Sequence, residues 1–162
     1  MLCMTNTVIN RRPGRHLVLV DIENIIGSPT PTAEEVETAI QMLDAAVPGF
    51  DSAQRVWACS HRAARTVGFA VPADRQLWRS GVDGADLALL EVIDTENIEE
   101  RYEQVTVCSG DGIFAESVAR LVSQGVSVNV AAVRGHVSGR LRLAAQRVTY
   151  VEETASALGT AS

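Results

Sequence analysis

Three aspartates lie at the ends of short apolar segments or at the start of a predicted helix. If the fold brings them together, their carboxylates can hold a divalent metal ion. Asp21 directly follows the apolar run at residues 17–20, and Asp111 lies in the Ser-Gly-Asp-Gly turn that follows residues 105–108. Asp86 lies in the first turn of a helix expected after a glycine-rich segment. Clustered carboxylates repel one another, so such a cluster is stable only when it is protonated or holds a cation. Ligand sets made only of oxygen favour Mg²⁺ or Mn²⁺ over zinc, and such an ion can activate a water against a phosphodiester.

Short apolar or β-branched segments recur along the chain and predict strands, and residues with helical periodicity lie between them. The predicted strands are residues 17–20, 55–60, 76–79, 105–108, 126–131 and 147–151. A capping box from Thr32 to Glu35 starts one helix, and apolar residues at helical spacing follow Asp86 and Gly112. The alternation of strands and helices predicts an α/β sandwich with a mostly parallel sheet.

The predicted fold would bring the three distant aspartates to one edge of the sheet. In open α/β sheets, ligands bind beside the carboxyl ends of the strands. Asn24 follows Asp21 closely enough to hold it or to share its ligand. Structural alternatives stay open, because Asp21 can be an Asx-type cap and Asp83 and Asp86 can form an acidic pair that favours a helix start. Of that pair, Asp83 is expected at the N-cap, with its side chain accepting backbone N–H bonds.

Length and composition limit the classes of protein that the chain can represent. Its 162 residues predict a flexible arm at 1–15, one domain at 16–153 and a polar tail at 154–162. A net charge of −6 argues against a wide basic surface for duplex DNA or for an anionic membrane. Only 4% of the residues are aromatic, which argues against a broad base-stacking platform. No apolar run is long enough to span a membrane, and no secretory signal is evident.

The three cysteines predict a reducing compartment, and therefore a cytoplasmic protein. They form no Cys-x-x-Cys pair, and their number is odd. Cys59 and Cys108 each lie within an apolar run, where a buried reduced thiol is expected.

Several basic residues are candidates for contact with a nucleic-acid backbone. Arg62 and Arg65 follow the second predicted strand, and Arg134 lies in a glycine-containing loop near the end of the chain. Exposed arginines usually mean only a solvated surface, so this interpretation stays beside the functional one. His61, at the end of a strand, is expected to be a polar loop residue.

Three sequence motifs resemble those of the NYN-domain family, which belongs to the PIN-like nuclease superfamily. They are residues 20–24 (Val-Asp-Ile-Glu-Asn), 81–87 (Gly-Val-Asp-Gly-Ala-Asp-Leu) and 109–114 (Ser-Gly-Asp-Gly-Ile-Phe). The resemblance covers nearly the whole chain and implies a Rossmann-like three-layer sandwich that cleaves RNA with Mg²⁺ or Mn²⁺. It implies that Asp21, Asp86 and Asp111 are the catalytic, metal-binding acids.

The same resemblance assigns supporting roles to neighbouring side chains. Asn24 would support the first acid, and Ser109 would brace the turn that carries Asp111 by hydrogen bonding. Ser138 begins a segment that looks like the late Ser-x-x-Leu segment of the family.

The chain also departs from the family pattern. Many relatives carry a second aspartate where Ile113 stands, often a lysine at the position of Ser80, and often an acid at the position of Gln146. Asp83 can substitute for the missing acid. Glu23 and Glu116 are further candidates, although a solvated helix face is expected for Glu116.

Two functions from different classes follow from these observations. The first is a metal-dependent ribonuclease in which a metal-activated water hydrolyses the phosphodiester. The second is a catalytically weak or inactive module that binds RNA, a nucleotide or a protein partner, and Ile113 and the net negative charge favour it. A phosphoesterase or phosphotransferase of another α/β fold is disfavoured because Glu23 occupies the place where a second aspartate is needed. RNA is the expected partner and no membrane is expected, while a homodimer and a protein partner are left open.

Overall fold

A computed structural model describes residues 13–152, which form one α/β domain. The strands are β1 His16–Asp21, β2 Gln54–Cys59, β3 Arg75–Trp78, β4 Gln104–Cys108, β5 Ser127–Val133 and β6 Arg147–Val151. The helices are α1 Ile22–Ile26, α2 Ala33–Ala46, α3 Ala64–Ala70, α4 Gly84–Thr95, α5 Ile98–Arg101, α6 Ala115–Ser123 and α7 Gly139–Ala144. A 3₁₀ turn, Gly112–Phe114, precedes α6.

The six strands form one sheet in the order β3-β2-β1-β4-β5-β6, and all five pairings are parallel. The chain therefore starts in the middle of the sheet, winds to one edge and returns to build the other half. Strand order reverses between β1 and β4, where Val20 pairs with Cys108. Such a switch point opens a crevice at the carboxyl ends of the two central strands.

Helices cover both faces of the sheet, as a fully parallel sheet requires. One core cluster joins the sheet to α4, α6 and α7, and includes Leu89, Leu121 and Leu141. The other joins the opposite face to α1, α2 and α3, and includes Val36 and Val67. The predicted three-layer α/β sandwich is therefore confirmed.

Local signals explain how the elements begin. The capping box of α2 is formed in both directions between Thr32 and Glu35. The helix expected near Gly112 starts there as the 3₁₀ turn and becomes α-helical at Ala115.

The segment directly after β1 forms a short helix, α1, before the loop that contains Pro29 and Pro31. Asp21 caps α1 by accepting a hydrogen bond from the backbone N–H of Asn24. Burial of Ile22 and Ile25 holds the turn against the core, and Gly27 ends it in the left-handed region with φ 80°.

The described residues 13–15 lie against the domain. The backbone carbonyl of Arg15 accepts hydrogen bonds from the N–H groups of Glu103 and Gln104, and its guanidinium lies 4.7 Å from the ring centre of Tyr102. The rest of the predicted arm and the tail beyond Glu152 lie outside the described residues. Within residues 13–152, no helix combines the length and apolar character needed to cross a membrane.

Candidate metal centre

The four aspartates of the site come from three different segments at one end of the sheet. Asp21 ends β1, and Asp111 caps the 3₁₀ turn that follows β4, so the two flank the switch point. Asp83 and Asp86 lie at the start of α4, the helix that crosses from β3 towards β4.

Carboxylate oxygens of Asp83, Asp86 and Asp111 lie within 4.8 Å of one another. Asp21 joins this group through a side-chain hydrogen bond with Asp86. We call these four residues the acidic cluster. Among the predicted metal-binding acids, the structure thus brings Asp86 and Asp111 directly together, with Asp21 one hydrogen bond away.

Asp86 carries the strongest electrostatic perturbation of the acidic cluster. Its side chain is only 6% exposed, and its Oδ1 atom is buried without a hydrogen-bond partner among the described residues. Burial raises the pKa of Asp86 to about 9, helped by its hydrogen bond to Asp21 and by the charges of Asp21, Asp111 and Asp83. Without a cation, the carboxyl groups of Asp86 and Asp21 therefore share one proton in the hydrogen bond between them.

Asp21 shows the opposing effects that accompany this shared proton. Burial raises the pKa of Asp21, whereas hydrogen bonds from Asp86 and from the N–H of Asn24 lower it. A buried, unpartnered oxygen beside several other carboxylates is what a divalent cation would satisfy, so these residues fit Mg²⁺ or Mn²⁺.

The prediction for the Asp83 side chain is wrong. Asp83 occupies the N-cap position of α4, but its side chain makes no capping hydrogen bond. Its backbone is left-handed, with φ 56°, whereas a capping side chain normally needs an extended backbone at the N-cap. The exposed carboxylate is thereby directed into the acidic cluster. Gly84 permits this close turn, since a Cβ there would lie 2.4 Å from the carbonyl oxygen of Arg79.

Two polar side chains fix the loops that carry Asp21 and Asp111. The side-chain Oδ1 of Asn24 accepts a hydrogen bond from the N–H of Gly110 at 3.0 Å, across the switch point. Ser109 Oγ accepts a hydrogen bond from the N–H of Asp111 at 3.2 Å. Asp111 Oδ1 in turn accepts one from the N–H of Ile113 at 2.9 Å. Asn24 thus supports Asp21 with its backbone and the facing loop with its side chain.

The loop before α7 packs directly on the turn that carries Asp111. The N–H of Ser138 donates to the carbonyl of Gly110 at 2.9 Å, and a Cβ on Gly112 would lie 2.7 Å from Ser138 Oγ. A Cβ on Gly110 would lie 1.7 Å from the carbonyl oxygen of His136. Only glycine at these positions lets the two loops approach so closely.

The positions that depart from the family pattern have other partners. Ile113 packs against the core cluster that contains α4 and α6. Ser80 Oγ accepts a hydrogen bond from the N–H of His61 and lies 2.8 Å from His61 Nδ1. Gln146 Oε1 accepts from the N–H of Val128, which extends the pairing of β5. None of the three side chains belongs to the acidic cluster.

The two glutamates considered as substitutes differ in position. Glu23 lines the cavity beside the acidic cluster, but its Oε1 accepts hydrogen bonds from both the N–H and the Oγ of Ser60. Glu116 is exposed on α6, as expected from the sequence.

The predicted nucleic-acid contacts separate into two groups. Arg62 and Arg65 are exposed at the carboxyl end of β2 and the start of α3. Arg134 forms an ion pair with Glu152 at 2.9 Å, and its guanidinium lies 4.2 Å from the ring centre of Tyr150.

Sequence reasoning missed two residues of the site, Ser60 and Arg79. Both line a cavity of about 170 Å³ that also contains Asp21, Asp83 and Asp86. Each directly follows a strand in the structure, whereas the sequence placed each as the last residue of a predicted strand, so the rule that singled out Asp21 did not reach them.

The family model described as the NYN domain matches residues 15–152. The chain belongs to the NYN-domain family. NYN domains are a PIN-like nuclease family, and PIN-like nucleases generally use divalent metals and act on nucleic acid.

A solved structure supports the fold independently. It is the crystal structure of a protein of unknown function from Vibrio parahaemolyticus, with a TM-score of 0.58 and 16% sequence identity. The likeness covers 86% of this chain and 93% of that one, and at this identity it concerns the fold alone. No curated protein matches the sequence.

Proposed function

We propose that this NYN domain is a metal-dependent ribonuclease that hydrolyses phosphodiester bonds of RNA at the acidic cluster. One observation carries the proposal. Asp86 is 6% exposed and keeps a buried oxygen without a partner, beside carboxylates of Asp83 and Asp111 within 4.8 Å. A carboxyl group in this environment is costly to ionise unless a cation compensates its charge.

Asp83, Asp86 and Asp111 are the residues that would hold Mg²⁺ or Mn²⁺. Asp21 supports Asp86 through the hydrogen bond between their carboxyl groups. When bound, such an ion lowers the pKa of a water and offsets charge that develops on phosphate oxygens. Asp83 here takes the place of the acid that relatives carry where this chain has Ile113. Asp86 and Asp111 are thus the proposed catalytic acids, and Asp21, which the sequence also predicted as a metal ligand, is proposed to position Asp86 through their hydrogen bond.

The remaining residues position these acids. Asn24 and Ser109 hold the two loops of the switch point through hydrogen bonds to backbone N–H groups. Ser138 holds the loop before α7 against the turn that carries Asp111, through the hydrogen bond from its backbone N–H to the carbonyl of Gly110. Arg62, Arg65 and Arg134 are proposed to contact the RNA backbone, since all three are exposed.

A second candidate is an NYN-type module that binds RNA, a nucleotide or a protein partner with little or no hydrolysis. The packing of Ile113 against the core favours it, because the usual second acid of that turn is lost. In that case, RNA binding would persist while no metal concentration yields cleavage.

Calorimetric titration with Mn²⁺ tests the metal centre. We expect saturable binding by the wild type and loss of binding by Asp111→Asn. Glu116→Gln is the matched control, because it removes one exposed carboxylate on α6 outside the acidic cluster and should bind Mn²⁺ normally.

Incubation with single-stranded RNA tests the reaction. Degradation that requires Mn²⁺, stops with EDTA and is lost in Asp111→Asn supports the ribonuclease. Metal binding and RNA binding without degradation support the second candidate, and no binding of Mn²⁺ by the wild type contradicts the proposed metal centre.

A further inference from the structure

The two most exposed aromatic side chains of the domain share one groove. The sequence has seven aromatic residues, and Phe50, Trp57, Tyr102 and Phe114 are buried while Tyr150 is half-buried. Phe69 is 77% exposed and Trp78 is 53% exposed. Both line a groove of about 420 Å³ between α3 and the edge strand β3, together with Ala64, Arg65, Gly68, Pro72 and Gln76. We call it the β3 groove.

Within the described part of the chain, the only charged residue lining the β3 groove is the basic Arg65, although the chain as a whole carries a net charge of −6. No acidic residue lines it, and the guanidinium of Arg65 lies 5.9 Å from the ring centre of Phe69. Among residues 13–152, neither Arg65 nor the nearby Arg62 forms an ion pair. Flat apolar rings beside an unpaired cation complement a ligand that has flat faces and negative charge.

One end of the β3 groove, formed by Trp78, lies next to the acidic cluster. Trp78 is the last residue of β3, and Arg79, directly after it, lines the cavity of the acidic cluster. The N–H of Arg79 donates to the carbonyl of Cys59, which precedes Ser60 in the wall of that cavity. A single-stranded RNA that left the acidic cluster across the end of β3 would therefore pass close to Trp78.

We propose that the β3 groove is a base-stacking subsite for single-stranded RNA, in which Phe69 and Trp78 stack on unpaired bases and Arg65 contacts a phosphate. The choice of RNA rests on the proposed ribonuclease function. Stacking requires an open π-face, which a base in a duplex does not offer, so the subsite selects single strands.

Fluorescence anisotropy with a fluorescein-labelled, unstructured oligouridylate tests the subsite in EDTA, where no metal-dependent cleavage occurs. We expect Trp78→Ala and Phe69→Ala each to weaken binding about 5- to 150-fold, the range for loss of one base–aromatic stack. Trp78→Phe should retain most of the affinity. Leu143→Ala is the matched control, because Leu143 is 88% exposed on α7, away from the groove.

Tryptophan emission gives a second readout that does not depend on a destabilising variant. Trp57, the other tryptophan, is 1% exposed, so RNA should quench Trp78 selectively, and the quenching should disappear in Trp78→Phe. Equal affinities of Trp78→Ala and Leu143→Ala, together with unquenched emission, would overturn the proposal. So would an RNA duplex that binds as tightly as the single strand.

Three further outcomes separate this proposal from its alternatives. If quenching and the effect of Trp78→Ala are found but no Mn²⁺-dependent cleavage occurs, the proposed function fails while the subsite stands. If cleavage occurs and Trp78→Ala changes neither KM nor affinity, the subsite fails alone. Sedimentation that finds a wild-type dimer, dissociated by Trp78→Ala, would assign the groove to a second copy of the chain and overturn the proposal.

Discussion

Replacing Asp86 by asparagine removes the most strongly perturbed carboxyl group of the domain without changing its size. The pKa of Asp86 is about 9 in the folded chain against an ordinary value of 3.8. Between these values the folded chain binds more protons than the unfolded chain, so the free energy of unfolding decreases as the pH rises. The contribution of Asp86 to the free energy of unfolding is therefore fully present below about pH 4 and is lost above about pH 9.

The magnitude follows from the size of the pKa shift. One group contributes ~1.4 kcal/mol for each pH unit, which gives a limit of roughly 4 kcal/mol between pH 5 and pH 8. Asp83 is exposed and Asp111 is partly exposed, so solvent screens part of the repulsion. We therefore expect the wild type to lose roughly 2 kcal/mol over this interval in EDTA.

Urea denaturation at several pH values measures this loss. Asp86→Asn should remove most of the pH dependence and be more stable than the wild type at pH 8, because the amide can donate to Asp21 as the protonated carboxyl does. Asp83→Asn, which removes an equal charge at an exposed position, should change stability by less than about 0.5 kcal/mol. Mn²⁺ at a hundredfold excess over its Kd should add ~2.7 kcal/mol to the wild type and nothing to Asp86→Asn. Equal wild-type stability at pH 5 and pH 8, or an unchanged slope in Asp86→Asn, would refute the reasoning.

Three further perturbations test the loops and the core. Gly110→Ala should destabilise the domain by more than about 2 kcal/mol in urea denaturation and weaken Mn²⁺ binding, because the added Cβ would lie 1.7 Å from the carbonyl oxygen of His136. Gly139→Ala is the control and should be tolerated, because an added Cβ there would have no atom within 4 Å. Asn24→Ala should cost about 1–3 kcal/mol by leaving the N–H of Gly110 unpaired, and Asn24→Asp, which keeps an acceptor, should recover part of it. Burial raises the pKa of the Cys59 thiol to about 12 and also raises that of Cys108. In a Cys3→Ser variant, neither remaining thiol should therefore react with a disulfide reagent at pH 8 until urea unfolds the chain. Rapid labelling of the native variant would contradict this burial.

The sequence by itself determined the fold class and the end of the sheet at which the site forms. Apolar runs that end in Asp21 or precede Asp111 need only local periodicity to be recognised, because a buried strand must be apolar and its carboxyl end faces the crevice of an α/β sheet. The capping box at Thr32 is likewise local, since both of its hydrogen bonds join residues within one turn.

Only the tertiary structure decided which side chains meet within the site. The left-handed backbone of Asp83 turns an expected cap into a member of the acidic cluster, and no local pattern encodes that angle. The bond from Gly110 to Asn24 joins residues 86 positions apart. The pKa of Asp86 and the shared groove of Phe69 and Trp78 likewise depend on distant segments. Desolvation, charge repulsion and groove shape are properties of the assembled neighbours, and a sequence pattern specifies only the residues next to one another along the chain.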